Sequence, residues 1–171
     1  EKKYGLSNLD SSCTKITDGT HNPPKFQKTG IPFIVISNII NGKLSLITKK
    51  FVSETNFLKL NQRAPAEQND ILYTTVGSFG IAVLIDTSTK FTFQRHISLL
   101  KPNKFIILSK FLLHILNSPN VLNQANSVAR GIAQKTVNLG DLRKFTIPIP
   151  PLEEQNEIVS HIEQGFSLIE N

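Results

Sequence analysis

The hydrophobic positions divide the chain into an early part built of short apolar runs and a later part in which apolar residues recur at helical spacing. Ile31-Pro32-Phe33-Ile34-Val35-Ile36 is too short for a helix and rich in β-branched residues, which predicts a buried strand. Ile71-Leu72-Tyr73-Thr74-Thr75-Val76 and Ile81-Ala82-Val83-Leu84-Ile85 predict two more, joined by the turn Gly77-Ser78-Phe79-Gly80. Residues 91–100 alternate imperfectly and read as one further strand. Asn41-Gly42 is a tight-turn signal between Ile39-Ile40 and Leu44. Phe51-Val52 ends another extended piece, Ser53 is placed to cap a helix over 54–60, and residues 62–69 form a polar loop. The first residues, 4–16, carry mixed signals for a strand or a helical turn, and 17–25 is a loop dense in turn formers.

After residue 108 the period changes. Ser109 is placed to cap a helix carrying Phe111, Leu112, Ile115 and Leu116. Ser118-Pro119 restarts a second through about Val128, ended by Gly131, and Asn138 caps a short turn before Phe145. Strands come first and helices late, with no βαβ alternation and no repeat. The expected class is α+β, a mixed, largely antiparallel sheet with late helices packed on it.

The last stretch changes again. Ile147-Pro148-Ile149-Pro150 favours extended backbone and forbids helix. Pro151, with Glu153 and Glu154 behind it, then opens a helix. Val159, Ile162, Phe166 and Ile169 are spaced 3, 4 and 3 apart, as in a coiled-coil seam. Two readings stand side by side: a terminal helix docked on its own domain, and an arm whose seam is exposed until a partner helix covers it. The stripe still runs where the chain stops, with no base in the last turn, and the chain contains no Met. We therefore expect a piece of a longer protein, with a domain over 1–150 and the start of a long coiled-coil spacer helix over 151–171.

Charge follows the same boundary. Residues 1–144 hold all 19 Lys and Arg against eight acids, a net of +11, whereas 145–171 hold five acids and no base, a net of −5. A basic body feeding an acidic helix suggests a polyanion for the body and a protein for the arm. A single cysteine, Cys13, excludes a disulfide framework and a Cys-based zinc site. No signal-peptide pattern and no long apolar run is present, so a cytoplasmic protein without membrane contact is expected.

Catalytic chemistry finds little support. Asn22-Pro23-Pro24-Lys25 approaches the motif with which amino-methyltransferases hold a flipped base, but the fourth position needs a stacking aromatic and Phe26 comes one place late. Gly77–Gly80 joins two strands, not a strand and a helix, so no nucleotide cofactor loop is present. His21, His96, His114 and His161 are scattered, without ligand spacing or a paired nucleophile. No catalytic residue, cofactor or metal is assigned. Groups suited to DNA remain: Lys25 and Lys28 around a turn-rich loop, Thr74, Thr75 and Ser78 around the glycine turn, and Gln94, Arg95 and His96 at the expected start of a strand. Arg130, Gln134 and Lys135 lie within one loop between helices. Arg and Gln can bond base edges bidentately, while Lys and hydroxyls mostly meet phosphates.

The motif order is Asp18-Gly19-Thr20-His21, Gly30-Ile31-Pro32-Phe33, Gly77-Ser78-Phe79-Gly80, Gly131-Ile132-Ala133-Gln134-Lys135, then Ile147-Pro148-Ile149-Pro150-Pro151-Leu152-Glu153-Glu154-Gln155 entering a helix. Over nearly the whole chain this resembles a target recognition domain of the specificity subunit of type I restriction–modification enzymes. The resemblance implies two such domains per subunit, each reading one half of a split double-stranded DNA target and each followed by a helix of an antiparallel coiled-coil spacer. It implies a non-catalytic subunit whose partners are modification subunits using S-adenosylmethionine and a restriction subunit using ATP and Mg. Val159, Ile162, Phe166 and Ile169 would then meet the second half of the specificity subunit. Base-reading residues vary within the family, so those named above rest on chemistry alone. Alternatives are the same domain in a half-sized or fused methyltransferase/nuclease, and a basic protein–protein adaptor.

Overall fold

The computed structural model describes residues 4–169, and for Ser167 and Ile169 the backbone alone. The chain opens with β1 (Leu6–Asn8), the single turn α1 (Leu9–Ser12) and β2 (Cys13–Asp18). β3 (Ile31–Ile34), β4 (Ile39–Ile40), β5 (Lys43–Leu44) and β6 (Phe51–Val52) lead to α2 (Glu54–Arg63). Then come β7 (Ile71–Thr74), β8 (Ala82–Leu84), β9 (Thr92–Phe93) and β10 (Ile97–Pro102). The late part holds α3 (Ser109–Leu116), α4 (Pro119–Val128), α5 (Leu139–Arg143), β11 (Thr146–Pro148) and α6 (Leu152–Ile169). The α+β class holds, but the strands divide among separate sheets. The largest is antiparallel, ordered β2-β10-β7-β8; a second, β6-β3-β9, contains a parallel pair, and β1-β11 and β4-β5 stand as pairs.

The large sheet is covered on both faces, which explains why β7 reads as a continuous apolar run. Ile71 and Tyr73 face a core with Ile16, Leu100, Phe111, Leu112 and Val121. Leu72 faces a second core with Val83, Leu99, Ile34 and Phe93. Asn41 and Gly42 both adopt positive φ, the geometry a two-residue hairpin turn requires. Ser53 caps α2 as expected, its hydroxyl accepting from the Asn56 N–H at 3.2 Å. That helix runs on to Arg63, three residues past the expected end, because the Arg63 guanidinium reaches the Asp18 carboxylate.

Three further expectations are corrected. Residues 91–100 are not one strand: Ile97 N–H donates to Gln94 O at 3.2 Å, closing a turn at which the chain leaves β3 as β9 and joins β2 and β7 as β10. Gln94, Arg95 and His96 therefore occupy a turn, not a strand start. Ser109 is the first residue of α3, whose N-cap position is Leu108 with no side-chain cap bond of its own. Gln155 of α6, wholly buried, fixes the chain entering that helix instead: its Oε1 accepts from the N–H of Leu108 itself at 2.8 Å, while Nε2 donates to Ile106 O at 2.9 Å and Pro150 O at 2.8 Å.

Lastly, α6 docks on α3. Val159 is 5% exposed and part of the core, Ile162 is half-buried, and Lys110 Nζ meets Glu163 Oε1 at 2.7 Å. His114 stacks on Phe166 at 6.4 Å between centroids, yet Phe166 remains 58% exposed. Val159 thus belongs to this domain, contrary to its expected place on an exposed seam, because the first turns of α6 seal the open edge beside α3. The side chain of Ile169 lies outside the described residues. Tyr4 donates its hydroxyl to Glu154, and β1 pairs with β11, so the opening and closing parts of the fold meet. Among the described residues no helix is long and apolar enough to cross a membrane.

Gln155→Ala, by leaving one N–H and two carbonyls buried without partners, is expected to cost about 3 kcal/mol in urea unfolding. Phe166→Asp is expected to stay within about 0.5 kcal/mol of the parent, as for other exposed substitutions.

Candidate nucleic-acid interface

One loop and two turns converge at the end of β7, and a buried threonine joins two of them. Thr75 donates both its N–H (2.9 Å) and its hydroxyl (3.1 Å) to His96 O, in the turn between β9 and β10. Its own carbonyl accepts from Val137 N–H at 2.9 Å, just past the 130–136 loop. Thr74 closes the glycine turn from within: its hydroxyl accepts from Ile81 N–H at 3.0 Å and its carbonyl from Gly80 N–H at 3.0 Å. At 0% and 4% exposure, Thr74 and Thr75 cannot make the phosphate contact expected of them from sequence. They hold the backbone that presents others. Ser78, in contrast, is exposed at the turn.

The 130–136 loop is closed like a hairpin. Arg130 and Thr136 exchange backbone hydrogen bonds of 3.0 and 2.8 Å, and Gly77 N–H donates to Lys135 O at 2.9 Å. α4 has already ended at Val128, with Ala129 in extended backbone, so Gly131 serves the loop and not the helix. Gly131 adopts φ +121°, and a Cβ there would lie 2.3 Å from Gln134 O. Gln134 lays its amide over Gly77, where a Cβ would meet Nε2 at 3.0 Å. Arg130, Gln134 and Lys135 are all exposed. Arg130 is 3.7 Å from the Asp141 carboxylate and keeps 78% of its side chain in solvent.

Asp18-Gly19-Thr20-His21 fixes the neighbouring turn. Gly19 passes so close to β9 that a Cβ would lie 2.2 Å from Phe93 O. Gly19 N–H donates to Ile97 O (3.2 Å), Thr20 N–H to Phe93 O (3.0 Å), and Arg95 N–H to Thr20 O (3.0 Å). The buried Asp18 carboxylate is 2.7 Å from His21 Nε2 and also holds Arg63. Strand-end geometry and a buried ion pair explain this motif without a ligand.

Two adjoining grooves result. One, of about 600 Å³, runs between Ser37, Ser78, Gln94, His96, Gln134 and Lys135. The other, of about 420 Å³, shares Gln94 and His96 and adds Arg95, Lys50, His21 and Phe26. Phe26 packs edge-on against Phe33 at 5.0 Å, and Lys50 Nζ lies 5.7 Å from its ring centre. Burial, reinforced by the charge of Arg95, holds His96 below the ordinary imidazole value. The sequence-named residues Ser78, Gln94, Arg95, Gln134 and Lys135 are thus brought together, and Arg130 stands at the foot of the same loop. Lys25 and Lys28 are exposed on the loop that carries Phe26 but line neither groove. Lys50 and Ser37 were missed; the Lys49-Lys50 pair before β6 is the one signal that pointed there. A larger groove of about 710 Å³ lies between α4, β1 and β11, lined by Leu6, Val121, Gln124 and Thr146 among others. Among the described residues no Lys, Arg, Asp, Glu or His lines it, so it offers no charge to a polyanion.

Thr74→Val removes the acceptor for a buried N–H and should cost about 1–2 kcal/mol in chemical unfolding. Ser78→Ala should leave stability within about 0.5 kcal/mol.

The family model for the type I restriction modification DNA specificity domain matches residues 6–171. The specificity subunit of the type I restriction enzyme EcoBI from Escherichia coli is 30% identical over 162 residues, covering 95% of this chain and 34% of its own length. That of EcoKI from Escherichia coli strain K12 is 27% identical over 169 residues, with 94% and 35% covered. The chain spans about a third of the length of the curated relatives it matches. Among solved structures, the HsdS subunit from Thermoanaerobacter tengcongensis superposes with a TM-score of 0.70 at 23% identity, over 98% of this chain and 43% of its own. A chain from a structure of a type I R-M system, described for its complex assembly and conformational transition, gives 0.72 at 20% identity, over 99% and 40%.

Proposed function

The chain belongs to the family of type I restriction modification DNA specificity domains, and from that premise we propose that it reads one half of a bipartite double-stranded DNA target without catalysing any reaction itself. The observation that carries this reading is the convergence, on one end of a rigid sheet, of the 130–136 loop, the glycine turn and the β9–β10 turn. Together they present Arg95, Lys135, Gln94, Gln134 and Ser78 around two joined grooves, with Lys50 inside one of them. Rigid scaffolds holding exposed loops are where recognition residues collect. Arg130 or Gln134 contacts a base edge, while Lys135, Lys25, Lys28 and Lys50 meet phosphate.

The acidic α6 begins the spacer that joins this domain to the second half of its parent. Of the seam, half-buried Ile162 and exposed Phe166 are offered to the partner helix, with Ile169 assigned to it on sequence spacing alone, whereas Val159 is spent on the domain's own core. Methylation and cleavage belong to the modification and restriction subunits with which the parent assembles in the cytoplasm. S-adenosylmethionine, ATP and Mg are bound there.

The test uses the parent specificity subunit assembled with its modification subunits. Affinity for duplex should fall linearly on a log–log plot as salt is raised, and Lys135→Ala should lower that slope by about one while slowing methylation of every site alike. Gln134→Ala or Arg130→Ala should instead relax methylation at one base pair, by roughly 1–3 kcal/mol of discrimination. A shallow salt slope, matched by equal affinity for an acidic protein, would mark an adaptor and not a DNA reader.

A further inference from the structure

The tip of the 130–136 loop carries a side chain that folding does not explain. Ile132 is fully exposed, at 107% of its reference accessibility, more than any other large hydrophobic residue among the described ones, Ile47 at 90% being next. Its neighbours are Arg130, which keeps most of its side chain in solvent, and the exposed pair Gln134 and Lys135. The loop's backbone is committed to that presentation. Gly131 at φ +121° permits a close approach to Gln134 O that no other residue could make, and Arg130–Thr136 pairing and the Gly77–Lys135 bond pin its base. An apolar side chain held out into water at the centre of a polar, cationic loop contributes nothing to stability.

We infer that Ile132 is a specificity-determining residue that packs against the C5-methyl group of a thymine in the major groove. The inference rests on the DNA-reading function proposed above. Groove choice follows from width. The loop enters as two antiparallel chain segments, paired at Arg130 and Thr136. The major groove, about 12 Å wide, admits a two-stranded ribbon as it stands, whereas the minor groove, about 6 Å wide, takes one only when the duplex is deformed to widen it. Within the major groove the only apolar feature on any base edge is the thymine methyl. Arg130 and Gln134, on either side of the tip, then have guanine and adenine edges of adjacent base pairs within the same groove to bond.

The experiment uses the parent specificity subunit assembled with its modification subunits, on the half-site fixed by methylation profiling over a randomised library. Each thymine of that half-site is replaced in turn by deoxyuridine, which removes the methyl and leaves every hydrogen-bonding group. At one position the parent should bind the deoxyuridine duplex about fourfold more weakly, the equivalent of about 0.8 kcal/mol for one buried methyl. Ile132→Ala should bind thymine and deoxyuridine equally at that position and keep the parent's response at all others. Sequence-selective binding with no position at which Ile132→Ala abolishes a methyl response overturns the inference and leaves the DNA-reading function standing. A uniform loss of affinity in Ile132→Ala across all sequences, the mark of a wedge between base steps, overturns it too. Absence of any sequence-selective binding by the parent complex sinks the functional reading itself.

Discussion

Backbone crosses backbone at Gly19, and the placement of the recognition turn depends on that crossing. β2 ends there against the β9–β10 turn, with no room for a side chain between Gly19 and Phe93 O. The approach lets Gly19, Thr20 and Arg95 trade hydrogen bonds across it, so the turn bearing Gln94, Arg95 and His96 is tied to the edge of the large sheet. Asp18 and Arg63 lock the crossing to α2. From His96 the constraint passes through Thr75 to Val137, and so to the loop that ends at Thr136. An exposed reading surface gains precision when its loops share buried backbone bonds, since each loop then loses the freedom to move alone.

A second buried polar group, Gln155, does the corresponding work where α6 meets the chain entering α3. A glutamine without solvent contact is tolerated only if its amide is satisfied, and here all three of its bonds go to backbone groups that would otherwise be orphaned. The consequence is a helix that is part domain and part arm. Its first turns are inseparable from the core through Gln155 and Val159, and its later turns carry exposed Phe166 and Leu168.

Much of this was legible in sequence wherever local backbone chemistry decides the structure. Asn41-Gly42 demanded a tight hairpin, Ser53 and Asn138 demanded helix starts, and Ile147–Pro150 could be nothing but extended. The glycine turn and the 130–135 loop were likewise found, because glycine, arginine and glutamine together mark exposed special geometry. What failed was everything set by tertiary bonding. A threonine hydroxyl looks the same in sequence whether it faces phosphate or accepts a buried N–H, so Thr74 and Thr75 were assigned to the surface. A 3-4-3 stripe cannot tell which of its members the parent domain will cover, so Val159 was grouped with Phe166. The break between β9 and β10 was invisible because Gln94, Arg95 and His96 carry no turn signature; the parallel pairing of β9 with β3 makes it.

The central claim is that one end of the large sheet, and not the apolar groove between α4, β1 and β11, meets DNA. Amide hydrogen exchange of the assembled complex, with and without its target duplex, tests it directly. DNA should slow exchange at residues 77–80, 94–96 and 130–136 together and leave α4 and β11 unchanged. Protection confined to α4 and β11, with the three loops exchanging as fast as in the free complex, would contradict the account.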